Sequence, residues 1–138
     1  MLRKTCALMM VAGNFAFAQG ANILAQQLVT SATRQIGVTV RYDPEYQAIA
    51  FPEGDVPMDR GVCTDVLIRA YRSIGVDLQS LVNRDMRGNF RAYPHQWGLR
   101  QPDTNIDHRR VPNLAVYFTR HGRKLAASQM PGCTVRAI

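Results

Sequence analysis

The sequence predicts four helices with little strand, a pattern that fits either an all-helical domain or the helical front half of an α+β domain. Apolar residues recur at helical spacing in four segments, and a glycine or a proline closes each of them. Only one short run, residues 38–42, is typical of extended chain. The length of 138 residues allows one domain with one modest core.

Residues 1–18 are predicted to be a signal peptide. Two basic residues precede a mostly apolar run, and Ala16-Phe17-Ala18 has the small-residue pattern of a cleavage site. The alternative is an N-terminal membrane anchor, but the run is shorter than the roughly 20 residues that span a bilayer. We therefore expect a mature chain that begins at Gln19, has no transmembrane span, and is periplasmic or secreted.

The first helix of the mature chain is predicted over residues 22–36. Asn22 is a favourable cap at its start, and Gly37 supplies the left-handed residue that commonly follows a helix end. The extended run 38–42 comes next. Asp43-Pro44 then opens a long loop that is rich in turn-forming residues.

Two further helices follow that loop. Apolar residues recur at helical spacing over residues 62–74, and Gly75 is placed to end this helix. Asp77 is a suitable cap for a third helix over residues 78–90. Tyr93-Pro94 interrupts the pattern, because a residue before proline is disfavoured in helical conformation.

A polar loop is predicted over residues 94–110, before the fourth helix. Pro112 lies in the first turn of that helix, where its missing N–H group does no harm, and Gly122 ends the helix. Residues 123–138 show no convincing periodicity.

The chain is basic, with a formal net charge of +7, but its arginines are spread over different segments. No nucleic-acid-binding motif accompanies them, so nucleic acid is not an expected partner. A basic exported protein is attracted to anionic envelope polymers such as those of the cell wall. Cys63 and Cys133 remain after cleavage, and their spacing matches no zinc motif. We expect no metal and no cofactor, and the sequence does not specify an oligomeric state.

Cys63 is the candidate catalytic residue. It falls at the start of the helix over residues 62–74, where unpaired N–H groups and a partial positive charge stabilise a thiolate. Arg60 adds a nearby positive charge, and Gly61 would let a substrate carbonyl approach the backbone donors of an oxyanion hole. The alternative interpretation is that Cys63 is a small buried core residue on the apolar face of the helix.

A nucleophilic cysteine needs a base, and the three histidines are weak candidates. His121 lies in the last turn of the fourth helix, where a cation is favourable, and His95 lies among aromatic loop residues. His108 belongs to the polar cluster Asp103–Arg110, which could form a Cys–His–Asp arrangement with Cys63 or a metal site. We favour a network of arginines and carboxylates that pins the loop onto the helices.

Two motifs resemble one known family. They are YDP (residues 42–44) followed by GDVPMDRGVCTDV (54–66), and RQPDTNIDHRRVPNL (100–114). Both are similar to segments of the bacterial domain of unknown function (DUF) family 1287. The likeness extends from about residue 32 to about residue 124.

That family in turn resembles the NlpC-type cell-wall peptidases, a branch of the papain-like cysteine peptidases. The resemblance implies that Cys63 corresponds to the family's proposed nucleophile. It also implies a base histidine and its partner on later segments, which resemble Pro-Gly-Asp-Ile-Val-x-Trp, Pro-His-Ile-Gly-Ile-Val and a His-Asn pair. Here residues 130–138 read MPGCTVRAI, and none of those later residues can be assigned.

We therefore expect residues 19–138 to be the helical front half of a papain-like (NlpC-type) cysteine-peptidase fold, of α+β class, truncated before most of its sheet. The apolar faces of helices 62–74 and 78–90 would then lack the sheet that covers them.

The expected function is that of an exported bacterial envelope protein related to cysteine amidases and peptidases that act on peptidoglycan peptides. Without a base histidine, this copy is expected to be inactive or weakly active. The alternative is a non-catalytic envelope binding protein whose arginines and Asp103–Arg110 loop bind peptidoglycan, an anionic polymer or a protein.

Overall fold

A computed structural model describes residues 10–122. The first nine residues of the predicted signal peptide and residues 123–138, Cys133 included, lie outside this range. The described part contains four helices and two short strands: α1 Met10–Thr33, β1 Arg41–Tyr42, β2 Arg60–Gly61, α2 Cys63–Arg72, α3 Leu78–Asn89 and α4 Val111–His121. Single 3-10 turns occupy Phe90–Ala92 and Asp107–Arg109. Within this range, no helix combines the length and apolar character that crossing a membrane requires.

The two strands pair in parallel, with Arg41 opposite Arg60 and Tyr42 opposite Gly61. The N–H of Asp43 continues the ladder by donating to the carbonyl of Gly61 at 3.0 Å. Since α2 begins two residues after Gly61, this small sheet fixes the 43–45 segment beside the start of α2. The predicted helical content with little strand is confirmed for residues 10–122, and the papain-like fold stays a prediction.

The predicted bounds of the first helix are wrong at both ends. α1 runs without a break from Met10, so Asn22 does not cap it. At its other end the hydrogen bonds tighten to the i−3 pattern from Gln35 onward, and the Gln35 amide donates to the carbonyl of Val66 at 2.9 Å. This bond ties the end of α1 to α2, and Gly37 follows with a φ of 77°.

The other helix ends match the sequence pattern. Gly75 has a φ of 79° after α2, a backbone conformation that glycine adopts without strain. The Asp77 carboxylate accepts a hydrogen bond from the N–H of Gln79 at 3.2 Å and so caps α3. Pro112 lies in the first turn of α4, and Gly122 is the C-cap residue. Local sequence therefore determines the end of α2, the start of α3 and both ends of α4.

The core lies where α2, α3 and α4 meet. Its fully buried members are Ile68, Leu78, Val82, Met86, Tyr93 and Leu114. The apolar stripe of α3 was expected to lack a cover, but residues of α4 and of the segment after α3 pack against it. On α2 the core residue is Ile68, whereas Leu67 of the predicted stripe is exposed. Further exposed apolar side chains lie on α1 and the segment after it: Ile23, Leu24, Val29, Ile36, Val38, Val40 and Tyr42.

One arginine of α2 holds the long loop onto the helices. The buried Arg69 guanidinium donates to both carboxylate oxygens of Asp55, at 2.8 and 3.1 Å. It also donates to the Thr39 hydroxyl at 2.9 Å and to the carbonyl of Val56 at 3.1 Å. Polar contacts of this kind satisfy the backbone of a loop that has few apolar residues to bury.

Candidate active site

Cys63 is the first residue of α2, and its side chain is exposed. The interpretation of Cys63 as a buried core residue is therefore wrong. The thiol lies on the wall of an open cavity of about 420 Å³. Aromatic side chains and two arginines share this wall, among them Tyr42, Tyr46, Trp97, Arg109 and Arg110.

The backbone at the start of α2 has two N–H groups available to a ligand. The Asp65 carboxylate accepts a hydrogen bond from the N–H of Val62 at 2.7 Å, and the N–H of Asp65 donates to the Val62 carbonyl at 2.9 Å. Within residues 10–122, the N–H groups of Cys63 and Thr64 have no acceptor outside the helix, and their positions in the first turn leave none inside it. They are suitable donors for a negatively charged oxygen.

Gly61 serves a different purpose from the one expected. Its φ is 148°, and a Cβ atom at this position would lie 2.6 Å from the Asp65 carboxylate. A side chain at residue 61 would therefore displace the group that caps α2. Glycine is therefore needed here for the helix start itself, and its role in the approach of a substrate stays a prediction.

A buried ion pair links the start of α2 to the Asp103–Arg110 loop. Arg109 donates from Nε and Nη2 to the two carboxylate oxygens of Asp65, at 2.8 and 3.0 Å. The side chains are only 2% and 3% exposed. The Thr64 hydroxyl adds a 2.6 Å hydrogen bond to the Arg109 carbonyl. These contacts place Arg109 directly behind Cys63.

The predicted network of arginines and carboxylates in the loop is confirmed. Buried Asp107 accepts hydrogen bonds from the N–H of Asp103 at 2.6 Å and from Arg110 Nη1 at 3.1 Å. Burial raises the pKa of Asp107, although the N–H of Asp103 and the charge of Arg110 act against this. His108 is 2% exposed and does not line the cavity. The geometry thus gives His108 no role as a base for Cys63.

Burial of His108 leads to a prediction on pH dependence. Desolvation lowers its pKa from 6.5 to about 4. The unfolded chain then binds this proton more readily than the folded chain, so the stabilising contribution is fully present above pH 6.5 and is lost as the pH falls towards 4. We expect His108 by itself to contribute a fall of about 3 kcal/mol in the free energy of unfolding across this window, while the raised pKa of Asp107 acts in the opposite direction.

Urea unfolding of the wild type and of His108→Gln at several pH values measures this effect. The variant should lose most of the pH dependence between 6.5 and 4, whereas a matched change at exposed His95 should retain it. The carboxyl of Asp85, whose pKa is lowered mainly by its hydrogen bond from Arg120, titrates below this window. An unchanged slope in His108→Gln would contradict the prediction.

The other sequence candidates lie elsewhere. His121, in the last turn of α4, places Nε2 3.1 Å from Asp85, in agreement with a structural role. His95 packs edge-to-face against Phe90, with ring centroids 5.2 Å apart. Arg60 lies 3.7 Å from Asp43 and 3.4 Å from Asp59, so carboxylates compensate the positive charge that was expected to act on Cys63.

A family model with the description "Domain of unknown function (DUF1287)" matches residues 29–133. The chain belongs to the DUF1287 family. "Uncharacterized protein YijF" of Escherichia coli (strain K12) is 54% identical over 104 residues, which are 75% of this chain and 51% of that protein. The chain thus spans about half the length of this curated relative. No solved structure matches this chain.

Sequence reasoning on this DUF1287 chain missed two contacts that shape the cavity. Asp65 was quoted only as part of a motif, and its pairing with Arg109 was not foreseen, because 44 residues separate the two. Trp97 was given no role of its own, yet its ring lies under the Arg110 guanidinium. Among residues 10–122, no three His, Cys, Asp or Glu side chains are arranged to hold a metal ion.

Proposed function

We propose that this chain carries the nucleophile of a cysteine hydrolase that acts on amide bonds in peptidoglycan peptides, in an exported bacterial envelope protein. The observation that carries the proposal is the position of Cys63. It is exposed at the first residue of α2, on a cavity wall, beside two backbone N–H groups with no acceptor in the described part of the chain. Membership of the DUF1287 family, which resembles the NlpC-type peptidases, supports the same chemistry.

In this proposal the Cys63 thiolate attacks the carbonyl carbon of the substrate amide. The carbonyl oxygen becomes an oxyanion, and the N–H groups of Cys63 and Thr64 donate to it. Collapse of this intermediate forms a thioester on Cys63 and expels the amine, which takes up a proton. Water then hydrolyses the thioester and regenerates the thiol.

The proton transfers need a base that residues 10–122 do not bring to Cys63. His108 is buried, His95 packs on Phe90, and His121 pairs with Asp85. We therefore expect little or no turnover from this chain alone, because a poised nucleophile without a base performs few catalytic cycles.

The lack of a histidine beside Cys63 in the described residues favours one alternative, a non-catalytic envelope binding protein. In that case the cavity with its aromatic and arginine walls binds a cell-wall peptide or an anionic polymer, and the thiol takes no part. Reactivity of Cys63 separates the two proposals.

Alkylation by iodoacetamide tests the proposed role of Cys63. In a chain whose Cys6 and Cys133 are replaced by serine, Cys63 should react below pH 7, as expected for a nucleophilic cysteine at the start of a helix. The rate at pH 6 relative to that at pH 9 should be at least about tenfold higher for the folded chain than for the same chain in urea. Mass spectrometry of quenched samples gives both rates.

Two controls accompany this experiment. Replacing Cys63 by serine as well should abolish labelling, which assigns the signal to that residue. Equal relative rates in the folded and urea-unfolded chains would contradict a nucleophilic role and leave the binding function as the better proposal.

A further inference from the structure

The arginine that lines the cavity beside Cys63 is held in a fixed orientation. The Arg110 guanidinium lies over the Trp97 ring, with its central carbon 4.0 Å from the ring centroid. One arm of the guanidinium, Nη1, donates to the Asp107 carboxylate at 3.1 Å. The backbone is also fixed, since the Arg110 carbonyl accepts hydrogen bonds from the N–H groups of Asn113 and Leu114 at 3.0 and 3.1 Å.

Two other donor groups of Arg110, Nε and Nη2, make no hydrogen bond to any residue between 10 and 122. The other arginine of the cavity differs, because Arg109 uses its guanidinium on Asp65 and on the carbonyls of Asp43 and Glu45. Arg110 is thus the cavity arginine with donors left for a ligand.

Arg110 is also close to the nucleophile in the fold. The hydroxyl of Thr64, the residue after Cys63, donates to the carbonyl of Arg109 at 2.6 Å. Arg110 is the next residue along the chain, and both Cys63 and Arg110 line the same cavity. A molecule that occupies this cavity can therefore contact the thiol and the guanidinium together.

We propose that Arg110 determines specificity by binding a carboxylate of the substrate, next to the amide bond that Cys63 attacks. This inference rests on the proposed function for its reaction, but the binding itself can be measured without it. A planar guanidinium with free donors matches a carboxylate, and stacking on Trp97 fixes its orientation before the ligand arrives. The substrate class is then a peptide with an acidic group beside the scissile bond.

Paired alkylating reagents test the charge preference at the thiol. Iodoacetate carries a carboxylate, and iodoacetamide is its neutral counterpart of nearly the same size. In the chain with Cys63 as its only cysteine, the ratio of the iodoacetate rate to the iodoacetamide rate should be about fivefold higher when folded than in urea, as expected for one partly exposed charge pair. In Arg110→Gln this ratio should fall to the value measured in urea.

Arg84 provides the matched control, since it is an exposed arginine of α3 that does not line the cavity. Arg84→Gln removes the same charge and should leave the ratio of the folded chain unchanged. A ratio that falls equally in both variants would show a general effect of net charge and overturn the proposal. So would a folded wild type with the same ratio as in urea.

A second measurement does not depend on the reactivity of Cys63 or on an Arg110 variant. Trp97 is the single tryptophan of the chain, so its fluorescence reports on the cavity. In Cys63→Ser, N-acetylglutamate α-amide should change this fluorescence at concentrations at least about fivefold lower than N-acetylglutamine α-amide, in which a neutral amide replaces the side-chain carboxylate.

Equal responses to the two compounds, or none to either, would overturn the role of Arg110. A preference for the carboxylate together with an unreactive Cys63 would instead retain Arg110 as a binding residue and reject the hydrolase. The two proposals therefore fail by different results.

Discussion

Replacing Arg109 by methionine is expected to lower the free energy of unfolding by about 3–5 kcal/mol, because it leaves a buried carboxylate without its partner. Asp65 is 3% exposed and accepts two hydrogen bonds from Arg109. Methionine keeps much of the aliphatic volume, so most of the loss comes from the uncompensated charge. Urea unfolding monitored by circular dichroism measures the change.

The consequence should extend to Cys63. Asp65 also accepts the hydrogen bond from the N–H of Val62, and Arg109 further holds the carbonyls of Asp43 and Glu45. Without Arg109, the first turn of α2 and the 43–45 segment lose their common support. The difference in Cys63 alkylation between the folded and unfolded chains should shrink in the same variant.

Two comparisons make this expectation specific. Arg41 and Asp59 form a pair of the same chemistry at 3.3 Å with both side chains more than half exposed, so Arg41→Met should cost less than about 1 kcal/mol. The double variant Asp65→Leu with Arg109→Met should be more stable than Arg109→Met alone, since no buried charge remains. A single variant as stable as the wild type would refute the proposed support of α2 by Arg109.

Leu78→Ala is expected to have a comparable effect, with a loss of about 2–5 kcal/mol. Leu78 is 1% exposed, in the core that α3 shares with α2 and α4. Truncation to alanine removes buried apolar surface and leaves a cavity that the neighbouring helices fill only in part. The urea midpoint should fall while the slope of the transition stays the same.

Leu24→Ala is the matched control, because it is the same substitution at a helix position where the leucine side chain is half exposed. Leu24→Ala should alter stability by less than about 0.5 kcal/mol, since alanine and leucine are both good helix formers. A non-cooperative transition in the wild type would contradict the conclusion that α2, α3 and α4 share one core.

The sequence by itself determined the ends of three helices and the place of the candidate nucleophile. Gly75, Asp77 and Pro112 act on the backbone within a few residues, so their effects can be predicted from local chemistry. Helical periodicity placed the start of α2 one residue early, at residue 62, and did not reveal its cap by Asp65. The start of α1 was missed because residues 10–21 permit helix as well as residues 22–33 do.

The tertiary structure decided which side chains meet around Cys63. Asp65 and Arg109 are 44 residues apart, and Trp97 and Arg110 lie on one long loop whose path no periodicity predicts. It also decided what covers the apolar stripe of α3, against which Leu114 of α4 packs. Periodicity shows that a helix face is apolar, but many partners can cover such a face equally well. The partner that covers the face is fixed only in the folded chain, because it must match the face in shape and leave no buried charge without a partner.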